Sequence, residues 1–126
     1  MVEEIIGQIL SEGDTAVVTF GKSSISNVED ISIAAGRVAR FVNTSRPMRV
    51  VFDFKDVKFF SSRVLGMLLE TRATLASWGG EVFISSINPQ LHRVFKITNL
   101  DKIFRFFPDE QTALKAFDTN TQTREG

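Results

Sequence analysis

The sequence predicts a single α/β domain with a mixed β-sheet, an N-terminal β-hairpin and about four helices packed mainly on one face. Three observations predict it: the chain begins with two strand-like runs around a glycine-containing turn, helical and strand-like segments then alternate three times, and one terminal helix follows. Such alternation favours a sheet with parallel strands and covering helices. The 126 residues fit one domain. We assign residues 1–118 to it and the small, polar residues 119–126 to a frayed tail.

The first half of the chain predicts a hairpin followed by a long helix. Residues 4–10 and 15–20 are rich in branched residues and flank a Ser-Glu-Gly-Asp turn, which is typical of an antiparallel hairpin. Residues 23–27 are polar and predict a loop. Residues 28–42 carry apolar side chains at three- and four-residue steps, which indicates one apolar helix stripe, and the Arg46–Pro47 step ends that helix.

The middle of the chain predicts two strands separated by a helix. Residues 49–54 and 81–84 have little polar alternation, which suits strands covered on both faces. The helix between them opens at Ser61-Ser62 and ends at Trp78-Gly79-Gly80, where glycine favours a left-handed turn. The apolar side of this helix is expected to consist of Leu65, Leu68, Leu69, Ala73 and Ala76.

The last third predicts two further helices and one strand. Asn88 is a favourable N-cap and Pro89 suits the first helical position. Residues 103–107 predict a short strand that Pro108 ends, and Asp109 caps a closing helix. The apolar residues expected on these two helices are Leu91, Val94, Phe95, Ile97, Ala113, Leu114 and Phe117.

Composition and charge exclude several classes of function. The 15 basic and 15 acidic residues are mixed along the chain, so no surface for nucleic acid is predicted. The absence of cysteine excludes disulfides, thiolate chemistry and thiolate metal sites. The acidic first residues and the lack of a long apolar run predict neither a signal peptide nor membrane insertion, and hence a cytoplasmic protein. Twelve Phe without Tyr predict a core filled by apolar rings, with an exposed aromatic face as the alternative.

Little in the sequence points to catalysis. The single histidine, His92, has no nucleophile or carboxylate patterned around it, and no paired ligand spacing predicts a metal site. Asp53 and Asp56 flank a strand end, where acid–base work or Mg²⁺ binding is the alternative to capping a loop. A small hydrolase that uses Ser62 with Asp53 or His92 is a remote alternative. No cofactor is expected.

Ser61 and Ser62 stand where a buried strand and its loop lead into a helix. A serine at this place can cap the helix, because its oxygen accepts a first-turn N–H. It can also be a modification site, because a phosphate would meet the positive end of the helix dipole and pair with Arg63. The added negative charge would weaken a partner docked at that surface. Local chemistry leaves both interpretations open.

Residues 51–69 resemble the central motif of STAS domains, which runs apolar-Asp-apolar, then polar residues, then Asp-Ser-Ser/Thr-Gly-Leu-Gly. In this chain the end of that motif is Ser61-Ser62-Arg63-Val64-Leu65-Gly66. Residues 78–84 are similar to the Gly-Gly and following strand of the family, and residues 87–100 to its third helix and short turn. The resemblance extends over about residues 3–117 and implies a STAS-like fold.

The resemblance also implies a regulatory role. Members of the antagonist branch bind an anti-sigma factor that is also a serine kinase, which phosphorylates the serine after the motif Asp. That serine corresponds to Ser62. Three motif positions depart from the family: Ser61 replaces the Asp, Arg63 the second Ser/Thr, and Val64 the Gly.

Two modes of interaction stay open at this point. The first is a partner-binding module that Ser62 switches. The second is an unphosphorylated scaffold subunit of a larger signalling or lipid-transport complex, and a homodimer is a further open alternative. The expected partner-binding residues are Lys58, Phe60, Ser61, Ser62, Arg63, Val64 and Gly66.

Overall fold

A computed structural model of the protein describes residues 4–116 and contains, over that range, seven strands and four α-helices. The strands are β1 Ile6–Glu12, β2 Thr15–Phe20, β3 Ser24–Ile25, β4 Arg49–Asp53, β5 Phe59–Phe60, β6 Glu81–Ser85 and β7 Arg105–Phe107. The helices are α1 Val28–Ser45, α2 Arg63–Ala76, α3 Pro89–Ile97 and α4, which starts at residue 110 and is helical to 116. A 3-10 turn, Leu100–Lys102, precedes β7. The predicted tail, residues 119–126, and Phe117 lie outside the described residues.

The main sheet has five strands in the order β1-β2-β4-β6-β7. β1 and β2 pair antiparallel, whereas the β2–β4, β4–β6 and β6–β7 pairs are all parallel. The predicted mixed sheet with an N-terminal hairpin is therefore confirmed.

A second sheet, absent from the sequence prediction, joins β3 to β5 in parallel. The prediction that residues 23–27 form only a loop was therefore wrong, because Ser24–Ile25 is strand β3. The Ser23 carbonyl accepts from the N–H groups of Lys58 and Phe59, and the Ile25 carbonyl accepts from the Ser61 N–H. Strands of two residues are too short to show periodicity, so only long-range pairing defines them.

Three helices cover one face of the main sheet and α4 covers the other. The larger core joins α1, α2 and α3 to side chains such as Val18, Phe52 and Ile84. The smaller core brings Ala113 of α4 onto Val51 and neighbouring residues. The alternation of side chains along each strand supplies both cores, since successive residues point to opposite faces. The arrangement agrees with helices packed mainly on one face.

The predicted helix limits agree with the observed caps. The Asn27 side chain accepts from the Asp30 N–H and starts α1, and Arg46 ends it in a left-handed conformation at φ 47°. The Asn88 side chain accepts from the Leu91 N–H at 2.9 Å and starts α3. None of the helices in the described range has the length and apolar character needed to cross a membrane.

Three of the predicted buried positions were wrong. Ala73 and Ala76 are exposed, because the buried stripe of α2 instead passes through Thr71 and Leu75. The Thr71 hydroxyl donates to the Met67 carbonyl, which satisfies its hydrogen bonding inside the core. Ile97 is the last residue of α3 and is 73% exposed.

Seven of the eleven described phenylalanines are buried in the core, as predicted. Rings pack edge-to-face in a chain through Phe54, Phe60, Phe95 and Phe104, with centroids about 6 Å apart. Phe59 is the large exposed exception among the described phenylalanines, at 53%.

Candidate functional site

Ser61 and Ser62 connect β5 to α2, and their hydroxyl groups have different roles. The Ser61 Oγ accepts from the Arg63 N–H at 3.3 Å, so Ser61 satisfies one of the free amides at the start of the helix. Ser62 has a helical backbone, φ −60° and ψ −16°, and its side chain makes no capping hydrogen bond. Capping therefore falls to Ser61, while the Ser62 hydroxyl faces solvent.

A groove of about 580 Å³ lies between the N-terminal parts of α1 and α2. The α2 side of this groove is formed by Ser62, Arg63, Gly66, Met67 and Glu70. The α1 side is formed by Val28, Ile31, Ser32 and Ala35. Ile31 and Met67 are buried, whereas Ser62, Arg63 and Glu70 are exposed. The α1–α2 groove therefore has an apolar base and a polar rim.

The charge pattern at the start of α2 favours an anion. The first turn of α2 contains no acidic residue, so its dipole is not compensated there. Arg63 follows Ser62 directly and is exposed. Lys58 is also exposed, before β5, although it does not line the groove.

Two predicted contact residues, Phe60 and Val64, belong to the core instead. Phe60 is 4% exposed, with its ring 5.8 Å from that of Phe54 and 6.1 Å from that of Phe95. Val64 is fully buried in the first turn of α2. Their side chains cannot form part of a contact surface. Because alternate residues of a strand face opposite ways, Phe59 is the ring that β5 exposes.

The α1 side of the groove was missed by the sequence prediction. Val28, Ser32 and Ala35 lie about 30 residues before Ser62, so no local motif connects them to it. The exposure of Val28, 50%, distinguishes it from the buried stripe of the same helix. Its position at the start of α1, before that stripe begins at Ile31, is the one signal that the sequence contains.

The residues of the remote hydrolase alternative are not assembled. The Asp53 carboxylate accepts from the Ser85 hydroxyl at 3.2 Å and lines a different groove, at the carboxyl ends of β4 and β6. His92 packs against the Phe106 ring at 4.4 Å. No hydrogen bond in the described part of the chain links Ser62, Asp53 and His92, although nucleophilic catalysis by such a set requires one.

Metal binding by the carboxylates also finds no geometric support. Asp56 is exposed and does not share the groove that Asp53 lines. Among residues 4–116, no group of three or more His, Cys, Asp or Glu side chains is placed to hold a metal ion.

The mixed sheet, its helices and the serine-bearing turn before α2 define a STAS domain. The family model described as the STAS domain matches residues 9–113, so the chain belongs to the STAS domain family. Its relatives include anti-sigma factor antagonists, a class of regulatory proteins. It is 31% identical to the anti-sigma F factor antagonist of Paenibacillus polymyxa over 65 residues, which are 52% of this chain and 56% of that protein. This chain thus spans little more than half the length of that curated relative.

Solved structures establish the same fold. An anti-sigma factor antagonist (STAS) domain protein from Planctomyces limnophilus superposes with a TM-score of 0.78 at 20% identity, over 86% of this chain and 95% of that one. The phosphorylated form of the Bacillus cell fate determinant SpoIIAA superposes with a TM-score of 0.69 at 15% identity, over 87% of this chain and 97% of that one.

Proposed function

We propose that this chain is a cytoplasmic anti-sigma factor antagonist that binds an anti-sigma factor with serine kinase activity through the α1–α2 groove. Phosphorylation of Ser62 switches that binding. The observation that carries the proposal is the exposed Ser62 hydroxyl on the groove rim, which helix capping leaves free. The named relative from Paenibacillus polymyxa is an antagonist of the same family, which supports the class of partner.

The local charges suit a phosphate on Ser62. A phosphoserine carries about −1.5 to −2 charges at neutral pH and can make 1–3 charge-assisted hydrogen bonds. The α2 N-terminus and the Arg63 guanidinium are both suited to such bonds. The fold therefore tolerates the modification. A partner seated in the groove would have to desolvate the same phosphate, which costs several kcal/mol when its charge meets no matching cation.

The departures from the family motif are compatible with kinase access. Val64 replaces a glycine, but its side chain points into the core and leaves the approach to Ser62 open. Ser61 replaces an acidic residue and still caps α2. Arg63 replaces a hydroxyl residue and adds positive charge beside the modified oxygen.

A second candidate is an unphosphorylated scaffold subunit of a signalling or lipid-transport complex. The observation that favours it is the loss of the motif acid, since Ser61 carries no charge for a kinase to recognise. Phosphorylation mapping separates the two candidates. The full chain is isolated from its native cells in growth and under stress, and its mass and phosphopeptides are measured. We expect phosphate on Ser62 in one of the two conditions. An unmodified Ser62 in both conditions would contradict the switch and favour the scaffold subunit.

The switch itself is tested by Ser62→Asp in the full chain. We expect weaker binding to the anti-sigma factor kinase, by about tenfold or more, with unchanged unfolding free energy. Gln111→Asp is the matched control, because it adds the same charge to the first turn of α4 on the opposite sheet face. Calorimetric titration of both variants measures the effect. Equal affinities for Ser62→Asp and the unchanged chain would contradict the proposal.

A further inference from the structure

Among the described strands, β1 forms one edge of the main sheet. β1 is the first strand in the sheet order, and β2 is its sole neighbour among the described strands. It is seven residues long, and its pairing with β2 is regular from Gln8 to Glu12. An edge strand presents a row of unpaired N–H and C=O groups that can pair with another strand.

The start of this edge is protected and the remainder is not. A bulge interrupts the pairing between Ile6 and Gln8. The Arg37 guanidinium donates to the Ile6 carbonyl at 3.1 Å and pairs with the Glu4 carboxylate at 3.2 Å. From Gln8 onward β1 has no Lys, Arg or Pro, and its single ionisable residue is the terminal Glu12. Bulges, basic residues and prolines are the usual devices against edge pairing.

The opposite edge of the same sheet uses these devices. β7 is three residues long and begins with Arg105, and Pro108 follows it directly. A short, charged strand next to a proline makes a poor template for pairing. Within the described residues, the β7 edge therefore disfavours pairing, whereas β1 lacks these devices over the five residues from Gln8 to Glu12.

The hairpin turn determines which backbone groups of β1 point outward. Glu12 and Thr15 close a two-residue turn in which Gly13 has φ +62°. Because hydrogen-bonded and non-hydrogen-bonded pairs alternate along an antiparallel ladder, Glu12, Leu10 and Gln8 bond to β2. The N–H and C=O groups of Ile9 and Ser11 then point away from the sheet.

We propose that β1 pairs antiparallel with β1 of a second copy of this chain, across a twofold axis at Leu10. Leu10 then lies opposite the second copy's Leu10, Gln8 opposite Glu12, and Ile9 opposite Ser11. The outward groups of Ile9 and Ser11 exchange the new hydrogen bonds. Leu10 is 52% exposed on the face where it pairs with the buried Val17, so the leucine pair covers apolar surface that one copy leaves open.

Charge and geometry select this register. The carboxylate of Glu12 faces a Gln8 amide, which can donate to it, and no two carboxylates meet. A twofold at Ile9 would place Glu12 opposite the bulged, Arg37-capped start of the strand. A twofold at Ser11 would leave three paired residues in place of five. The regular stretch from Gln8 to Glu12 is centred on Leu10, so this register alone uses all of it.

Sedimentation of the full chain over a concentration series tests the dimer. We expect a monomer–dimer equilibrium that Leu10→Lys weakens by about 100-fold, because two ammonium groups would meet at the axis. An equimolar mixture of Leu10→Lys and Leu10→Glu should dimerise again, since the charges then match. Ile97→Lys is the control, because Ile97 is an equally apolar residue, 73% exposed, outside β1. A chain that stays monomeric at all concentrations would refute the proposal. The remaining occupant of the β1 edge would then be an extended segment of another protein.

The register is tested by cross-linking. The chain has no cysteine, so a Leu10→Cys variant carries a single thiol. A non-hydrogen-bonded antiparallel pair has Cα atoms about 4.5 Å apart, within the range of a disulfide. Mild oxidation should yield a covalent dimer of Leu10→Cys. Ile9→Cys should yield much less, because residue 9 lies opposite residue 11 of the second copy and is two positions away from that copy's residue 9. Equal yields, or a covalent dimer of Ile9→Cys alone, would overturn the register. Neither experiment depends on Ser62 or on the proposed function.

Discussion

We expect truncation of the two adjacent phenylalanines of β5 to destabilise the fold by very different amounts. Phe60 is 4% exposed and packs against the rings of Phe54 and Phe95, whereas Phe59 is 53% exposed. Replacing a buried Phe with Ala costs about 3–5 kcal/mol, through lost transfer free energy and the cavity left behind. For Phe59, with about half of the surface already in water, the cost should stay within about 1 kcal/mol.

The assay is equilibrium unfolding in urea at pH 7, followed by circular dichroism, for Phe60→Ala and Phe59→Ala. Both variants should keep the m-value of the unchanged chain, so that the shift in midpoint reports the free energy of unfolding. We also expect Phe59→Ala to weaken partner binding, because Phe59 is exposed on the strand that leads to Ser62. Similar losses of stability for both variants, or a larger loss for Phe59→Ala, would refute the assigned orientation of β5.

Two further predictions concern stability and its pH dependence. Gly80→Ala should lose about 1–3 kcal/mol in urea unfolding, since its Cβ would lie 2.8 Å from the Met48 carbonyl oxygen. Gly66→Ala, whose Cβ would meet nothing within 4 Å in a helix interior, should instead gain about 0.5–1 kcal/mol. The hydrogen bond from the Thr112 N–H holds the pKa of Asp109 below its ordinary value of 3.8. Asp109 therefore stabilises the fold above that pH, and this contribution is lost as the pH falls through the folded-state pKa.

Each of these expectations has its own control. A loss of stability in Gly66→Ala as large as in Gly80→Ala would show that close approach to Met48 is not the cause. For the pH dependence, unfolding free energies of the unchanged chain and Asp109→Asn are compared from pH 2 to pH 6. The difference between them should change with pH below about 4. A constant difference over that range would mean that Asp109 titrates alike in the folded and unfolded chains.

Local patterns predicted most of the fold because most of its elements carry local signals. The spacing of apolar residues from Ile31 to Val42 predicted α1, and Asn88 with Pro89 predicted the start of α3. The β3–β5 pair had no such signal, since each strand is two residues long and pairs across more than 30 residues of chain. The exposure of Ile97 depends on where α3 ends against its neighbours, which periodicity alone does not determine.

The candidate site was predicted in part for the same physical reason. Ser62, Arg63 and Gly66 were expected at a contact surface and line the α1–α2 groove. Phe60 and Val64 were included because they are close in sequence, and the strand and helix around them turn their side chains inward. Proximity along the chain therefore grouped residues that lie near one groove, but it did not predict which of their side chains face that groove.

The two proposed surfaces are built from different elements. Ser62 lies on the rim of the α1–α2 groove, whereas the proposed self-association uses the side of β1 that is turned away from β2. None of the residues that line the groove belongs to β1. Phosphorylation of Ser62 should therefore change partner binding and leave self-association as it was.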